Sequence, residues 1–257
     1  MKERVIKELA YFFSGLSFYT RIPCPSWVGF SAENLNKSRK YLPLIGLIVG
    51  MIAALAYGLS SFLLPVSVSI ILSMIVTVYL TGAFHEDGLA DCVDGFGGGW
   101  EKDQILAIMK DSRIGSYGTI SLVMVLGLKF ALLWELQAIS EQFLLLSLVL
   151  AHSLSRLMAS LIMQFYDYVS EVSASKSSSV TSMNLSTLEM CWSIVPILVI
   201  LVVIGNSKFV IAILPLLILA WLLGGYYQKR IGGYTGDCLG ATQQLAEVSF
   251  YVVLLII

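Results

Sequence analysis

Charge is scarce in this 257-residue chain: only 13% of its residues are Asp, Glu, Lys or Arg, against about 25% in a soluble domain. With 57% hydrophobic residues and a mean hydropathy of +0.83, the sequence excludes an ordinary water-soluble globule. It predicts an all-α, polytopic integral membrane helix bundle, organised as a single membrane-embedded domain over residues 1–257. A net charge of −1 lacks the basic excess that nucleic-acid binding needs, so no nucleic-acid partner is expected. There are only two histidines and four cysteines. Cys24, Cys92, Cys191 and Cys238 form no Cys-x-x-Cys pair, which argues against a zinc or redox centre; Cys92 and Cys238 read as small packing residues. A clean secretory leader is also missing, because Glu3 and Glu8 interrupt the first residues and no small-residue cleavage site follows. Val5, Ile6, Leu9, Phe12, Phe13 and Leu16 instead recur at helical spacing, as in an amphipathic helix on the membrane surface or packed on the bundle.

Long apolar runs are abundant. Seven candidate spans are Tyr41–Leu64, Val66–Phe84, Tyr117–Leu136, Phe143–Met163, Met190–Gly205, Phe209–Gly225 and Leu239–Ile257, each near the length a bilayer requires. Of the 14 basic residues outside these spans, 13 fall in the N-terminal segment and alternate loops, and Lys208 alone lies on the other side. The positive-inside rule then puts the N-terminus and those loops in the cytoplasm, in a bacterial or archaeal cytoplasmic (cell inner) membrane. The Ser-rich segment Ser170–Ser182, with Lys176, reads as a mobile loop.

Although acidic residues number only 17, Glu86, Asp87, Asp91 and Asp94 crowd into HEDGLADCVDGFGGGW, His85 to Trp100. If helical, Asp87, Asp91 and Asp94 project from one face at i, i+4 and i+7. Like charges so close repel unless a cation or protons intervene, and hard carboxylates select Mg²⁺, Mn²⁺ or Ca²⁺. The pattern is not that of an EF-hand. Gly97, Gly98 and Gly99 follow, where bare backbone N–H groups could meet a phosphate. Carboxylates beside glycines are the parts of a diphosphate site; a solvated acidic loop with a glycine hinge is the bland alternative.

Further candidates surround this motif. MKDSRIGSYG, Met109 to Gly118, supplies Lys110, either anchor or phosphate ligand, and Arg113, favoured as a ligand between glycines. GGYTGDCLGATQQLAEV, Gly232 to Val248, places Thr235 and Asp237 at the start of the last helix, where anions and free N–H donors meet; Asp237 is either a cap or a metal ligand. Gln244 lies seven residues beyond Asp237 on the same helical face. Glu247 is an acid inside a span, a functional candidate by default. His152 and Arg156 share a face of the fourth span, Arg156 as a phosphate contact or an acid's partner, His152 as a core residue. Lys129 pairs with Glu135 or snorkels. Arg21, in FYTRIPCP, is either a substrate contact or a charge beside a proline stop. His85 reads as structural.

Taken in order, FYTRIPCP, HEDGLADCVDGFGGG, MKDSRIGSYG, LSRLMAS and GGYTGDCLGA resemble the cobalamin synthase family, the adenosylcobinamide-GDP ribazoletransferases, from residue 18 to residue 241. The Ser-rich loop departs from the more charged loop usual there. The resemblance implies a Mg²⁺-dependent integral membrane phosphotransferase. Its substrates are adenosylcobinamide-GDP and α-ribazole or its 5′-phosphate; GMP leaves, and adenosylcobalamin or its 5′-phosphate forms. Other late cobalamin-pathway enzymes and a homo-oligomer are further partners to consider. The acidic motif is also similar in style, though more compressed, to that of the CDP-alcohol phosphotransferases.

On these readings together, Glu86, Asp87, Asp91, Asp94 and Asp237 hold one or two Mg²⁺ ions on the diphosphate. Asp94 accepts the proton of the attacking ribose 5′-hydroxyl. Arg113 and Arg156 clamp phosphates, with Arg21, Lys110, Thr235 and Gly97–Gly99 lining the substrate. Two alternatives are a lipid-making CDP-alcohol phosphotransferase, which needs a longer aspartate spacing, and an ion-coupled transporter. The transporter would place its ion site at mid-membrane in repeated halves, and no repeat is visible.

Overall fold

The protein is described from a computed structural model, over residues 2–29, 31–169 and 184–257. The Ser-rich segment 170–182 and Lys176 lie outside the described residues. Helices α1 (Lys2–Tyr19) and α2 (Ala32–Ser38) lead through a 3-10 turn, Arg39–Tyr41, into α3 (Leu42–Ser61). Then come α4 (Val66–Thr81), α5 (Phe84–Gly98), α6 (Lys102–Met109), α7 (Ser116–Ile139) and α8 (Glu141–Phe165). The chain finishes with α9 (Thr187–Ile204), α10 (Ser207–Ile211), α11 (Ile213–Ile231) and α12 (Gly236–Ile256). The expected all-α membrane bundle is what forms. Among the described residues, six helices are long and apolar enough to span, or seven if the bent pair α4 and α5 is counted as one span.

Two of the expected spans are redrawn. The sixth, expected over Phe209–Gly225, is α11 at Ile213–Ile231, with α10 taking up its beginning. Lys229 and Arg230 therefore occupy the last turn of a helix rather than a loop, where cations favour the negative end of the peptide dipoles. The second span stops at Thr81, because Gly82 (φ 68°) and Ala83 (φ 59°) both take the left-handed conformation. α5 then leaves at 86° to α4. The acidic segment is thus helical, as its spacing allowed, and α5 packs against α12 and α7. Ala83 is the exceptional residue at this corner, since left-handed backbone costs a side-chain-bearing residue about 1–2 kcal/mol.

α8 is the central post. Its most apolar window is 78% buried, against 22% for α7 and 17% for α9. α3 packs on it backbone to backbone. A side chain at Gly46 would run into the His152 carbonyl, and one at Gly50 would meet Leu148 and Val149. Such small-residue seams suit helices that must associate inside lipid. Ser153 Oγ donates to the Pro43 carbonyl at 2.8 Å across the same seam. Outward, Val202 (80% exposed) and Trp221 (70%) show the apolar surface of a lipid-facing wall.

Inside the bundle, Lys129 of α7 ion-pairs with Glu247 of α12, neither pairing with Glu135 nor snorkelling. Glu247 also accepts from Gln243 Nε2 at 2.9 Å and from Tyr251 OH at 3.1 Å. His152 Nδ1 stands 3.5 Å away, inside the core as expected. These contacts tie α7, α8 and α12 together, and they make Glu247 a structural counter-ion.

Candidate active site

α5 sorts its four acids by what covers them. Glu86 is buried and accepts from Gln244 Nε2 of α12 at 2.9 Å, while its other oxygen has no partner. Asp94 is buried under the start of α7. Its two oxygens accept the backbone N–H groups of Gly115 (2.7 Å) and Gly118 (2.8 Å). Those are donors that a helix N-terminus leaves unpaired, so Asp94 holds α7 in place. Both of its oxygens are engaged in these structural bonds and the side chain is buried, which suits a proton acceptor less well than the open face does. Asp87 is exposed and Asp91 half-buried on the face left open.

α12 brings the fifth acid. α5 and α12 cross where Gly88 meets Gly240: a side-chain carbon at Gly88 would lie 3.1 Å from the Asp237 carbonyl and 3.2 Å from the Gly240 Cα. Only glycine permits so close a crossing, and it carries Asp237 up to Asp87 and Asp91. Thr235 caps α12, accepting the Cys238 N–H at 3.3 Å and donating to Asp237 Oδ2 at 3.3 Å. Thr235 therefore orients an acid and the first turn of a helix. Burial, and then the charges of Asp87, Asp237 and Asp94, push the Asp91 carboxyl up to about 6. This mutual repulsion is what a hard divalent cation would relieve. The donor chemistry of Asp87, Asp91 and Asp237 fits Mg²⁺. Among the described residues, no three such groups converge into a preformed metal cage, so Mg²⁺ would need the substrate's oxygens to complete its shell.

Several expected ligands stand elsewhere. Gly97 and Gly98 are the final turn of α5 and Gly99 its C-cap. A helix C-terminus presents carbonyls and partial negative charge, so this end repels phosphate. Its glycines serve packing instead, since a side chain at Gly99 would lie 2.8 Å from the Ile105 backbone nitrogen of α6. Lys110 is the exposed C-cap of α6. Arg113 is 86% exposed and forks onto Asp111, with Nη2 to Oδ2 at 2.6 Å; this pairing holds the Asp111 carboxyl down at about 2. Arg21 lies over the Tyr79 ring, 5.0 Å from its centroid, at the α4–α5 corner. None of these four sites joins the Asp87–Asp91–Asp237 group.

Arg156 is brought close. It is 2% exposed, its Nη1 donates to the His152 carbonyl at 2.9 Å, and it lines a cavity of about 240 Å³ that reaches Gly236 and Gly240 of α12. Arg39, 4% exposed, lines the same cavity. The sequence offered Arg39 only as one of seven basic residues ahead of the first span, indistinguishable there from topological charge. Gln244, the partner of Glu86, was legible only as a polar residue on the Asp237 face.

Comparison with known proteins shows the family. The family model for cobalamin-5-phosphate synthase matches residues 11–255. An adenosylcobinamide-GDP ribazoletransferase of Shewanella frigidimarina is 47% identical over 97% of this chain and 95% of its own. Those of Shewanella woodyi and Shewanella amazonensis are 46% and 44% identical, each over 96% of its length and 97% and 98% of this chain. No solved structure matches. The alignment spans α1 to α12, so the acidic helix, the α5–α12 crossing and the arginine-lined cavity all fall within it, and the chain belongs to the cobalamin-5-phosphate synthase family.

Proposed function

We propose that this protein transfers the adenosylcobinamide phosphate group of adenosylcobinamide-GDP to α-ribazole or α-ribazole 5′-phosphate. GMP is released, and adenosylcobalamin or its 5′-phosphate is formed. The observation that carries the reading is the family match over residues 11–255, supported by the nearness of Asp87, Asp91 and Asp237, close enough for their charges to act on one another.

The reaction breaks the phosphoanhydride of adenosylcobinamide-GDP and forms a phosphodiester. A ribose hydroxyl attacks the phosphorus that bears the cobinamide, and the bond to the GMP oxygen breaks. An acceptor that already carries a 5′-phosphate has no free 5′-hydroxyl, so the nucleophile is a different ribose hydroxyl from the one first expected. Such transfers need charge neutralisation and alignment more than covalent catalysis. Mg²⁺, held by Asp87, Asp91 and Asp237, would offset the diphosphate charge. Asp91 replaces Asp94 as the group that takes the proton of the attacking hydroxyl. Asp91 is half-buried on the open face of α5, and an oxygen left free by the metal would be placed to take that proton. Asp94 positions the α6–α7 turn, Glu86 and Gln244 fasten α5 to α12, and Thr235 orients Asp237.

The acids sit at the end of the bundle where the basic loops gather, which supports a cytoplasmic active site and a cytoplasmic N-terminus. The apolar outer faces of α9 and α11 are open to lipid, to a second copy of the chain, or to a neighbouring enzyme of the pathway. Incubating the detergent-purified protein with adenosylcobinamide-GDP, α-ribazole and Mg²⁺ should release GMP and form the corrinoid product together. CDP-diacylglycerol with an alcohol should release no CMP. Turnover of the CDP-lipid alone would assign the protein to the lipid phosphotransferases.

A further inference from the structure

The cavity beside the acids combines features that the diphosphate site does not use. Two buried guanidinium groups, Arg39 and Arg156, face it, and no carboxylate is among its lining residues. Arg156 Nε is buried without a hydrogen-bond partner. A buried cation with an unmet donor is costly unless an anion arrives. One wall is aromatic: Phe18, Tyr19 and Phe84 meet edge to face, with centroids 4.9 to 6.2 Å apart. Much of the rest is aliphatic, including Leu35, Leu42 and Met163. The cavity reaches Gly236, next to Asp237.

We propose that this cavity is the acceptor subsite, taking a flat apolar base with a phosphate on its ribose, and that Arg39 and Arg156 read the acceptor's phosphate. The inference rests on the function proposed above and deepens it, because it assigns the acceptor's phosphate to two named residues outside the acidic cluster. The shared chemistry, an aromatic base plus a phosphate, also describes the departing GMP. The walls favour the dimethylbenzimidazole of ribazole, whose carbocycle asks for no hydrogen bonds, whereas the guanine edge would lose its partners against aliphatic side chains. Charge separates the two phosphate sites as well. The acidic cluster can accept a diphosphate only with a cation, while the arginines accept a monophosphate directly.

The test compares both acceptors in wild type, Arg39→Gln, Arg39→Lys and Arg156→Gln, with GMP release as the readout. In Arg39→Gln and Arg156→Gln, KM for α-ribazole 5′-phosphate should rise on the order of 10- to 100-fold. KM for adenosylcobinamide-GDP should change less than KM for α-ribazole 5′-phosphate, the loss on unphosphorylated α-ribazole should be the smaller of the two, and Arg39→Lys should keep part of the preference. Equal losses on both acceptors, or a loss confined to adenosylcobinamide-GDP, would overturn the assignment. A wild-type measurement needs no folded variant: 5,6-dimethylbenzimidazole should compete with the acceptor, and GMP with adenosylcobinamide-GDP. Competition of GMP against the acceptor, or no competition by dimethylbenzimidazole, would also overturn it. Absence of GMP release from wild type with either acceptor would instead sink the functional reading itself.

Discussion

Asp94 fastens the start of α7 by accepting the Gly118 backbone N–H at 2.8 Å, and its second oxygen takes that of Gly115 at 2.7 Å. An acid from the acidic run is thereby given to architecture, joining the acidic helix to the next span. Asn at this position can accept only one of the two bonds, leaving a buried donor unmet at about 1–3 kcal/mol. Asp94→Asn should lower the thermal midpoint of the detergent-purified protein. Gly118→Ala should do the same, because a side chain there would run into the Asp94 carboxylate. Whatever activity Asp94→Asn retains should keep the wild-type pH profile; loss of the acid limb would return Asp94 to the role of base.

Asp91 should behave oppositely. Its carboxyl is raised by burial and by neighbouring acids, so above pH 6 its ionised form works against folding in the metal-free protein. Removing that charge with Asp91→Asn should raise the metal-free thermal midpoint by about 2 °C while abolishing transfer. Added Mg²⁺ should stabilise wild type by mass action, and should stabilise Asp87→Asn, Asp91→Asn and Asp237→Asn less. Thermal shift with and without Mg²⁺ reads both effects.

The sign of the pH dependence follows from the same group. A proton acceptor must be ionised, and the folded carboxyl loses its proton around 6 rather than at the model-peptide value of 3.8. At low, fixed Mg²⁺, kcat/KM should therefore climb as pH rises through the acid range and flatten above it, and raising Mg²⁺ should move the limb to lower pH. The linked stability runs the other way: the cost of the raised carboxyl is absent below about 4 and complete above about 6. A flat profile from pH 5 to 8 would remove Asp91 as the acceptor.

Lys129 and Glu247 should be inseparable. Truncating one member of a buried pair strands the other, at about 3–5 kcal/mol, while replacing both with apolar groups of similar size is often nearly neutral. Lys129→Met should thus be poorly folded, and Lys129→Met with Glu247→Gln should recover much of the lost stability. Comparing thermal midpoints across the double-mutant cycle measures the coupling.

The spans were legible because hydropathy run length alone sets them. α3, α7, α8 and α12 start and stop within a few residues of the apolar runs. The 86° turn into α5 was less so. Gly82 hinted at a helix stop, but the left-handed Ala83 beside it is held there by tertiary structure. Helical spacing put Asp87, Asp91 and Asp94 on one face, yet periodicity does not say what covers a face. The α7 N-terminus that claims Asp94, and Gln244, 158 residues from Glu86, are facts of packing. Arg39 was hidden for a similar reason, because a basic residue ahead of a span normally reports topology. Gly46 and Gly50, four residues apart in an apolar run, carried a readable sign of the α3–α8 seam that the sequence reading passed over.

The central claim is that Asp87, Asp91 and Asp237 act with a divalent cation on the diphosphate of adenosylcobinamide-GDP. The most direct measurement is GMP release as a function of Mg²⁺ concentration, for wild type and for Asp237→Asn, from protein first stripped with EDTA. Wild type should be silent without metal and saturate with it, and Asp237→Asn should need far more Mg²⁺ or stay silent. Undiminished release from the stripped wild type, or an identical Mg²⁺ curve for Asp237→Asn, would contradict the account.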